Sequence, residues 1–263
     1  MEVIIRTNPD AVAELTCRLI AAQVRAKPEL VLGLATGRTM ERVYNRLAAK
    51  HQNEGLDFSR CRSFNLDEYI GVPPEDEHSY RFYMNHHLFS RVNIDLANTH
   101  VPDGMANDLR AGAERYEQLI RNAGGIDVQL LGIGESGHIG FNEPLSALMS
   151  RTRDKALTPL TRKQNAEMFG GDPDKVPKRA VTMGVGTILD ARELLLLATG
   201  KAKASILAKA VEGPITAMIS ASAIQLHPNC KVIVDEDAAG ELKEREYYDW
   251  IFANEPEWQE FQS

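Results

Sequence analysis

The stretch V-Q-L-L-G-I-G-E-S-G-H-I-G-F-N-E-P at residues 128–144 decides the fold. Residues 128–131 predict a buried strand, which runs into a loop with glycines at 132, 134, 137 and 140 that presents His138 and Glu143. In an open α/β sheet, ligands bind in the crevice beyond the carboxyl ends of the strands. A glycine-rich loop delivered there by a central strand is the expected centre of chemistry. Glycine lets backbone come close to a ligand, and histidine is the side-chain type that exchanges protons near neutrality.

The same pattern of strand, small-residue loop and helix occurs upstream. Residues 30–34 form a compact apolar run, A-T-G-R-T follows at 35–39, and a helix is expected over 40–50. That geometry aims backbone N–H groups and a helix start at an anion. The loop is not a Walker A sequence, and its spacing leaves a phosphate cradle and a plain βα turn equally open. A further strand at 62–66 ends in D-E-Y-I-G at 67–71. Neighbouring residues there point different ways, so at most one of Asp67 and Glu68 faces a site. Lys201 and Lys203 stand where a helix begins, an unfavourable place for cations unless an anion lies between them and the N–H groups. Two solvated lysines are the competing reading.

Around these loops, Asn8-Pro9 opens a helix to about residue 27, Ser79 opens an aromatic one at 80–89, and another is expected over 108–123. Phe82, Tyr83 and Phe89 read as core. His86 and His87 are adjacent, without ligand spacing, and read as structural or exposed. Strands are expected at 3–5, 99–102, 180–185, 194–198 and 231–234, whereas residues 146–178 are polar and aperiodic, the pattern of a mobile lid. The whole gives one α/β domain over 1–263. It is a doubly wound, mostly parallel, Rossmann-like sheet of six or seven strands with helices on both faces.

The formal net charge of −7 argues against nucleic acid or an anionic membrane as partner, although local cations can still hold a small anion. Cys17, Cys61 and Cys230 are odd in number and far apart, so they read as core thiols, not a disulfide framework or zinc site. The first residues are too short an apolar run for a signal peptide, and no run approaches the roughly 20 residues of a membrane helix. A cytoplasmic protein is expected.

The motifs G-L-A-T-G at 33–37, F-N-L-D-E-Y at 64–69 with Gly71, G-I-G at 132–134 leading into G-H-I-G-F-N-E-P at 137–144, S-R-T-R at 150–153, V-P-K at 176–178, A-V-E-G at 210–213 and Q-L-H-P at 225–228 span nearly the whole chain. In these the sequence resembles the glucosamine-6-phosphate deaminase (isomerase) family. The resemblance implies a ketol-isomerising deamination of an amino sugar phosphate, with no metal and no organic cofactor. His138 would assist ring opening, Glu143 would orient it, and Asp67 would take the C2 proton and return it to C1. Thr36, Gly37 and Thr39 with Lys203 match phosphate-binding positions, and Gly137 falls among the substrate-binding ones. Arg153 and Lys155 match part of an allosteric site. Homo-oligomers, hexamers among them, occur in the family, so a homo-oligomer is expected.

Three positions depart from the family pattern. Ser136 replaces an acidic or amide residue two before the histidine, Arg38 replaces a glycine, and Glu167 replaces a lid arginine that binds phosphate. Either Arg38 supplies the phosphate contact while Glu167 turns to solvent, or Arg38 and Glu167 pair and close the phosphate pocket. The second case would point to an unphosphorylated or different amino sugar. A lactonase or pentose-phosphate isomerase of related fold fits the D-E-Y and N-E-P motifs less well, and a non-catalytic sugar-phosphate-binding paralogue is the remaining alternative.

Overall fold

In chain order the elements are β1 (Glu2–Arg6), α1 (Pro9–Ala26), β2 (Val31–Leu34), α2 (Arg38–Glu54), β3 (Arg62–Asn65), β4 (Asp67–Tyr69), α3 (Tyr80–His87), β5 (Thr99–His100), α4 (Leu109–Asn122), β6 (Val128–Gly132), β7 (Arg153–Ala156), α5 (Pro159–Asn165), β8 (Arg179–Thr182), α6 (Val185–Leu189), β9 (Glu193–Ala198), α7 (Ala204–Val211), β10 (Cys230–Asp235) and α8 (Arg245–Asn254). They come from a computed structural model that describes residues 1–262. Local signals set most helix starts. Asn8, Ser79, Asp108 and Thr158 each accept a hydrogen bond from the backbone N–H three residues on, a cap that contributes about 1 kcal/mol.

Among the described residues, seven strands form a parallel sheet in the order β1-β10-β9-β6-β2-β3-β5. The inner strands are buried on both faces, which is why β9 after Glu193 reads as the unbroken apolar run L-L-L-L-A. From β2 the chain builds outward to β3 and β5, returns to β6 on the other side of β2, and then builds the opposite way. The switch point therefore lies between β2 and β6. The two loops singled out in the sequence leave the sheet there, side by side.

A second, three-stranded antiparallel sheet, β4-β8-β7, was not expected. Residues 67–69 are a strand instead of a loop, and the strand expected at 180–185 belongs to this small sheet instead of the parallel one. β7 and β8 are four residues each and carry R-D-K-A and R-A-V-T, too short and mixed to show alternation. The segment 146–178 also holds more structure than its polarity suggested: β7, α5 and a cluster in which Leu157, Ala166, Phe169 and Val176 pack with Tyr69, Tyr80 and Phe141. Its apolar residues are too irregularly spaced to form a stripe. Among the described residues, no helix is long and apolar enough to cross a membrane.

Candidate active site

At the switch point, a cavity of about 310 Å³ opens beyond the carboxyl ends of β2, β6 and β9, within the size range of small-molecule sites. Of the residues expected there, Thr36, Gly37, Arg38, Thr39, Asp67, His138 and Lys203 line it. Ser136 and Glu143 stand behind the His138 ring. Gly137, Glu167, Arg153 and Lys155 are outside the lining. Tyr80, Phe141, Gln164, Asn165, Met168 and Thr199 line the cavity as well. Thr199 follows β9 directly, so the strand-end rule that found the other loops could have found it. Gln164, Asn165 and Met168 carried no such signal.

Asp67 is the first residue of β4 and only 6% exposed. Burial, with the Glu68 charge as second cause, pushes its carboxyl up to about 8. Glu68 points the other way, as expected of adjacent strand residues. It accepts the N–H groups of Tyr69, Tyr80 and Arg81 at 2.9–3.0 Å and so holds the start of α3. The small sheet joins Asp67 to the glycine loop. Thr182 of β8 pairs with Asp67 in the ladder, and its Oγ1 accepts the Phe141 N–H at 3.0 Å. Two loops from different strands are thereby held in one register.

The His138 ring lies directly over the backbone of Gly134. A Cβ added there would stand 2.2 Å from Nε2, so only glycine permits the stacking. Gly137, at φ +80°, is a different case. A Cβ on it would strike Ile206 and Ile219, so this glycine serves packing behind the loop. On the other edge of the ring, Nδ1 is 2.8 Å from Ser136 Oγ and 3.5 Å from Glu143 Oε2. Burial raises the Glu143 carboxyl, but the neighbouring His138 and Thr161 side chains and the hydrogen bond from the Thr158 N–H outweigh it and hold the carboxyl at about 2. An ionised carboxylate beside Nδ1 keeps the proton on that atom. Nε2 is then the ring atom left to exchange a proton with a ligand.

Asn142 braces this group. Its Nδ2 donates to the carbonyls of Ile139 and Met183, and its Oδ1 accepts from Arg153 Nη1 at 2.9 Å. Ser220 Oγ accepts the Ile139 N–H and donates to the Asn142 carbonyl. The segment 146–178 touches the same carboxylate. Thr158, which caps α5, donates its N–H to Glu143 Oε1 at 2.9 Å.

The opposite end of the cavity is built differently. α2 starts at Gly37, whose φ of 116° turns the chain sharply and whose position supplies no side-chain cap. The first N–H groups of a helix lack intrahelical partners, and its dipole favours an anion. Lys203 faces the same space; its backbone N–H donates to the Gly200 carbonyl, while among the described residues its side-chain ammonium makes no hydrogen bond or ion pair. Burial pushes its ammonium down from the usual lysine value, with Glu135 opposing. Arg38 and Glu167 form an ion pair with side chains about three-quarters exposed. The pair forms, as one of the two expected arrangements required, but it sits on the rim and the cavity remains open. Among the described residues, no three His, Cys, Asp or Glu side chains are grouped to share a metal ion.

Fold and site together define the class: a doubly wound α/β protein whose switch-point cavity sets a lysine and an uncapped helix start beside a buried carboxyl and an imidazole. A family profile described as glucosamine-6-phosphate isomerases/6-phosphogluconolactonase matches residues 7–233, and the chain belongs to that family. It is 47% identical over 259 residues to the glucosamine-6-phosphate deaminase of Streptomyces coelicolor, covering 98% of this chain and 99% of the relative. It is 48% identical over 251 residues to that of Hahella chejuensis, covering 95% of each. Among solved structures it matches a monomeric glucosamine-6-phosphate deaminase of the NagB superfamily with a TM-score of 0.89 at 42% identity, covering 92% of this chain and all of that one. The 6-phosphogluconolactonase of Thermotoga maritima shares the fold, with a TM-score of 0.69 at 22% identity over 89% of this chain and all of the other.

Proposed function

We propose that this chain is an enzyme that converts glucosamine 6-phosphate and water to fructose 6-phosphate and ammonia. One observation carries the reading: a buried carboxyl and an oriented imidazole share one cavity with an unpaired lysine and an uncapped helix start. That is the layout needed to hold a sugar by its phosphate and move protons at its far end.

In this reading Lys203, Thr36, Thr39 and the first N–H groups of α2 grip the phosphate. His138 Nε2 exchanges the proton that opens the sugar ring, with Glu143 and Ser136 fixing the ring from Nδ1. Asp67 in its ionised form takes the C2 proton of the open aldehyde and delivers it to C1, which leaves an imine at C2. Water adds to C2, ammonia leaves, and the ketone remains. Arg153, through Asn142, is a positioning residue for this loop, and Lys155 of β7 accompanies it at the expected effector region.

Ammonia release and ketose phosphate formation from glucosamine 6-phosphate test the proposal directly. Folded protein that releases no ammonia from it, but does from an unphosphorylated or isomeric amino sugar, would replace the substrate and keep the chemistry. Binding by calorimetry without turnover on any amino sugar would replace the enzyme by a sensor. A cytoplasmic homo-oligomer is part of the same reading, supported by the exposed apolar side chains of Leu145, Met149 and Met218. Sedimentation velocity checks it, with a single monomeric species as the contrary result.

A further inference from the structure

We propose that Arg38 is a phosphate-gripping residue whose resting counter-ion is Glu167, and that the substrate phosphate takes the place of Glu167 on the guanidinium. The inference rests on the proposed function for the identity of the anion and adds to it how the anion is selected.

Arg38 opens α2, and its side chain lines the cavity beside Thr36, Thr39 and Lys203. Its ion-pair partner comes from the other side of the mouth: Glu167 lies in the 3-10 turn Ala166–Phe169 that follows α5. Glu167 does not itself line the cavity, whereas Gln164, Asn165 and Met168 around it do. The carboxylate therefore holds the guanidinium from the solvent side and occupies none of the ligand space.

Both partners are about three-quarters exposed, and an exposed ion pair contributes little to stability. Separating it is easy, and Glu167 turns into water without desolvation. A phosphate monoester offers what the single carboxylate does not. It carries nearly two charges and three acceptor oxygens, and a guanidinium grips it by a paired fork of hydrogen bonds. In the cavity it meets Lys203 and the start of α2 at the same time. A neutral sugar makes none of these contacts and leaves the pair intact. Without a ligand, Glu167 neutralises one of the two cations, Arg38 and Lys203, that line the cavity.

Binding and turnover are measured separately, so that failure of this inference and failure of the proposed reaction are distinguishable. Inorganic phosphate is titrated by calorimetry into wild type, Arg38→Ala and Glu167→Gln, and KM and kcat are measured for glucosamine 6-phosphate and for glucosamine. Arg38→Ala is expected to weaken phosphate binding and raise KM for the phosphorylated sugar by about 10-fold or more. Glu167→Gln is expected to tighten phosphate binding by roughly two- to fivefold, because the competing anion is gone. Arg38→Ala with unchanged phosphate affinity overturns the inference. So does a Glu167→Gln variant that loses affinity, which would make the carboxylate a support for Arg38 and not its competitor. Absence of deamination in all variants would count against the reaction alone, since the phosphate titration still reads the exchange.

Discussion

The two ends of the cavity solve opposite problems. At the Asp67 and His138 end, the side chains proposed to move protons are nearly buried and braced from behind: Nδ1 by Ser136 and Glu143, Glu143 Oε1 by Thr158, and the loop itself by Asn142, Ser220 and Thr182. At the Thr36 and Lys203 end, the Arg38 side chain is three-quarters exposed, the Lys203 ammonium is unpaired and the helix start is uncapped. Proton transfer needs one geometry and a dry setting, since misplacement is costly in rate. Capture of a phosphate needs donors still free to exchange water for ligand. In the proposed reaction the difference separates residues expected to act on kcat from residues expected to act on KM.

The sharpest attempt to break that division is Asp67→Asn, which removes the base and leaves the phosphate end untouched. It should lower kcat by about 10³-fold or more and abolish C2 proton exchange with solvent, while KM changes little. Persistent exchange in this variant would remove Asp67 from its assigned role. The same carboxyl sets a pH dependence. It works as a base only when ionised and is held at about 8, so kcat/KM should rise with pH to a plateau above that value. Stability should move the other way. A carboxyl raised by folding favours the native state while protonated, an advantage complete below its unfolded value of about 4 and lost as pH rises through about 8. Asp67→Asn is therefore expected to melt at a higher temperature than wild type at pH 9.

Glu143→Gln keeps the Thr158 contact but removes the charge beside Nδ1, and should cost about 10²-fold in kcat. If KM rises instead, Glu143 belongs with the ligand contacts. Lys203→Ala tests the opposite end: KM for the phosphorylated sugar should rise by about 10- to 100-fold with kcat nearly kept. The smallest effect belongs to Ser136→Ala, which deletes one neutral hydrogen bond to the imidazole and should lower kcat by roughly two- to tenfold. No loss at all would leave ring placement to Glu143 and the Gly134 backbone.

Which parts of the site were legible follows from how each is encoded. The phosphate end is local: strand, loop and helix start are contiguous in residues 31–54, so the anion-directed geometry can be read along the chain. His138 and Glu143 are five residues apart in one glycine-rich loop and were equally accessible. Asp67 was visible only as a carboxylate at a strand end. That it stands on β4, turned away from its neighbour Glu68 and locked to Phe141 through Thr182, depends on a ladder to a strand more than a hundred residues later. The Arg38 and Glu167 pair was one of two arrangements consistent with the charges.

The amino-acid sequence by itself determined the doubly wound architecture, the strand-end loops that carry the candidate site and the chemical types gathered there. Those features come from hydrophobic runs, caps and glycines whose effects reach only a few residues. The tertiary structure alone decided the second sheet, the bracing of Asp67 against the glycine loop, and the placement of the ion pair on the rim instead of in the pocket. Short mixed strands and exposed charges have weak local preferences, so their partners are chosen by long-range packing.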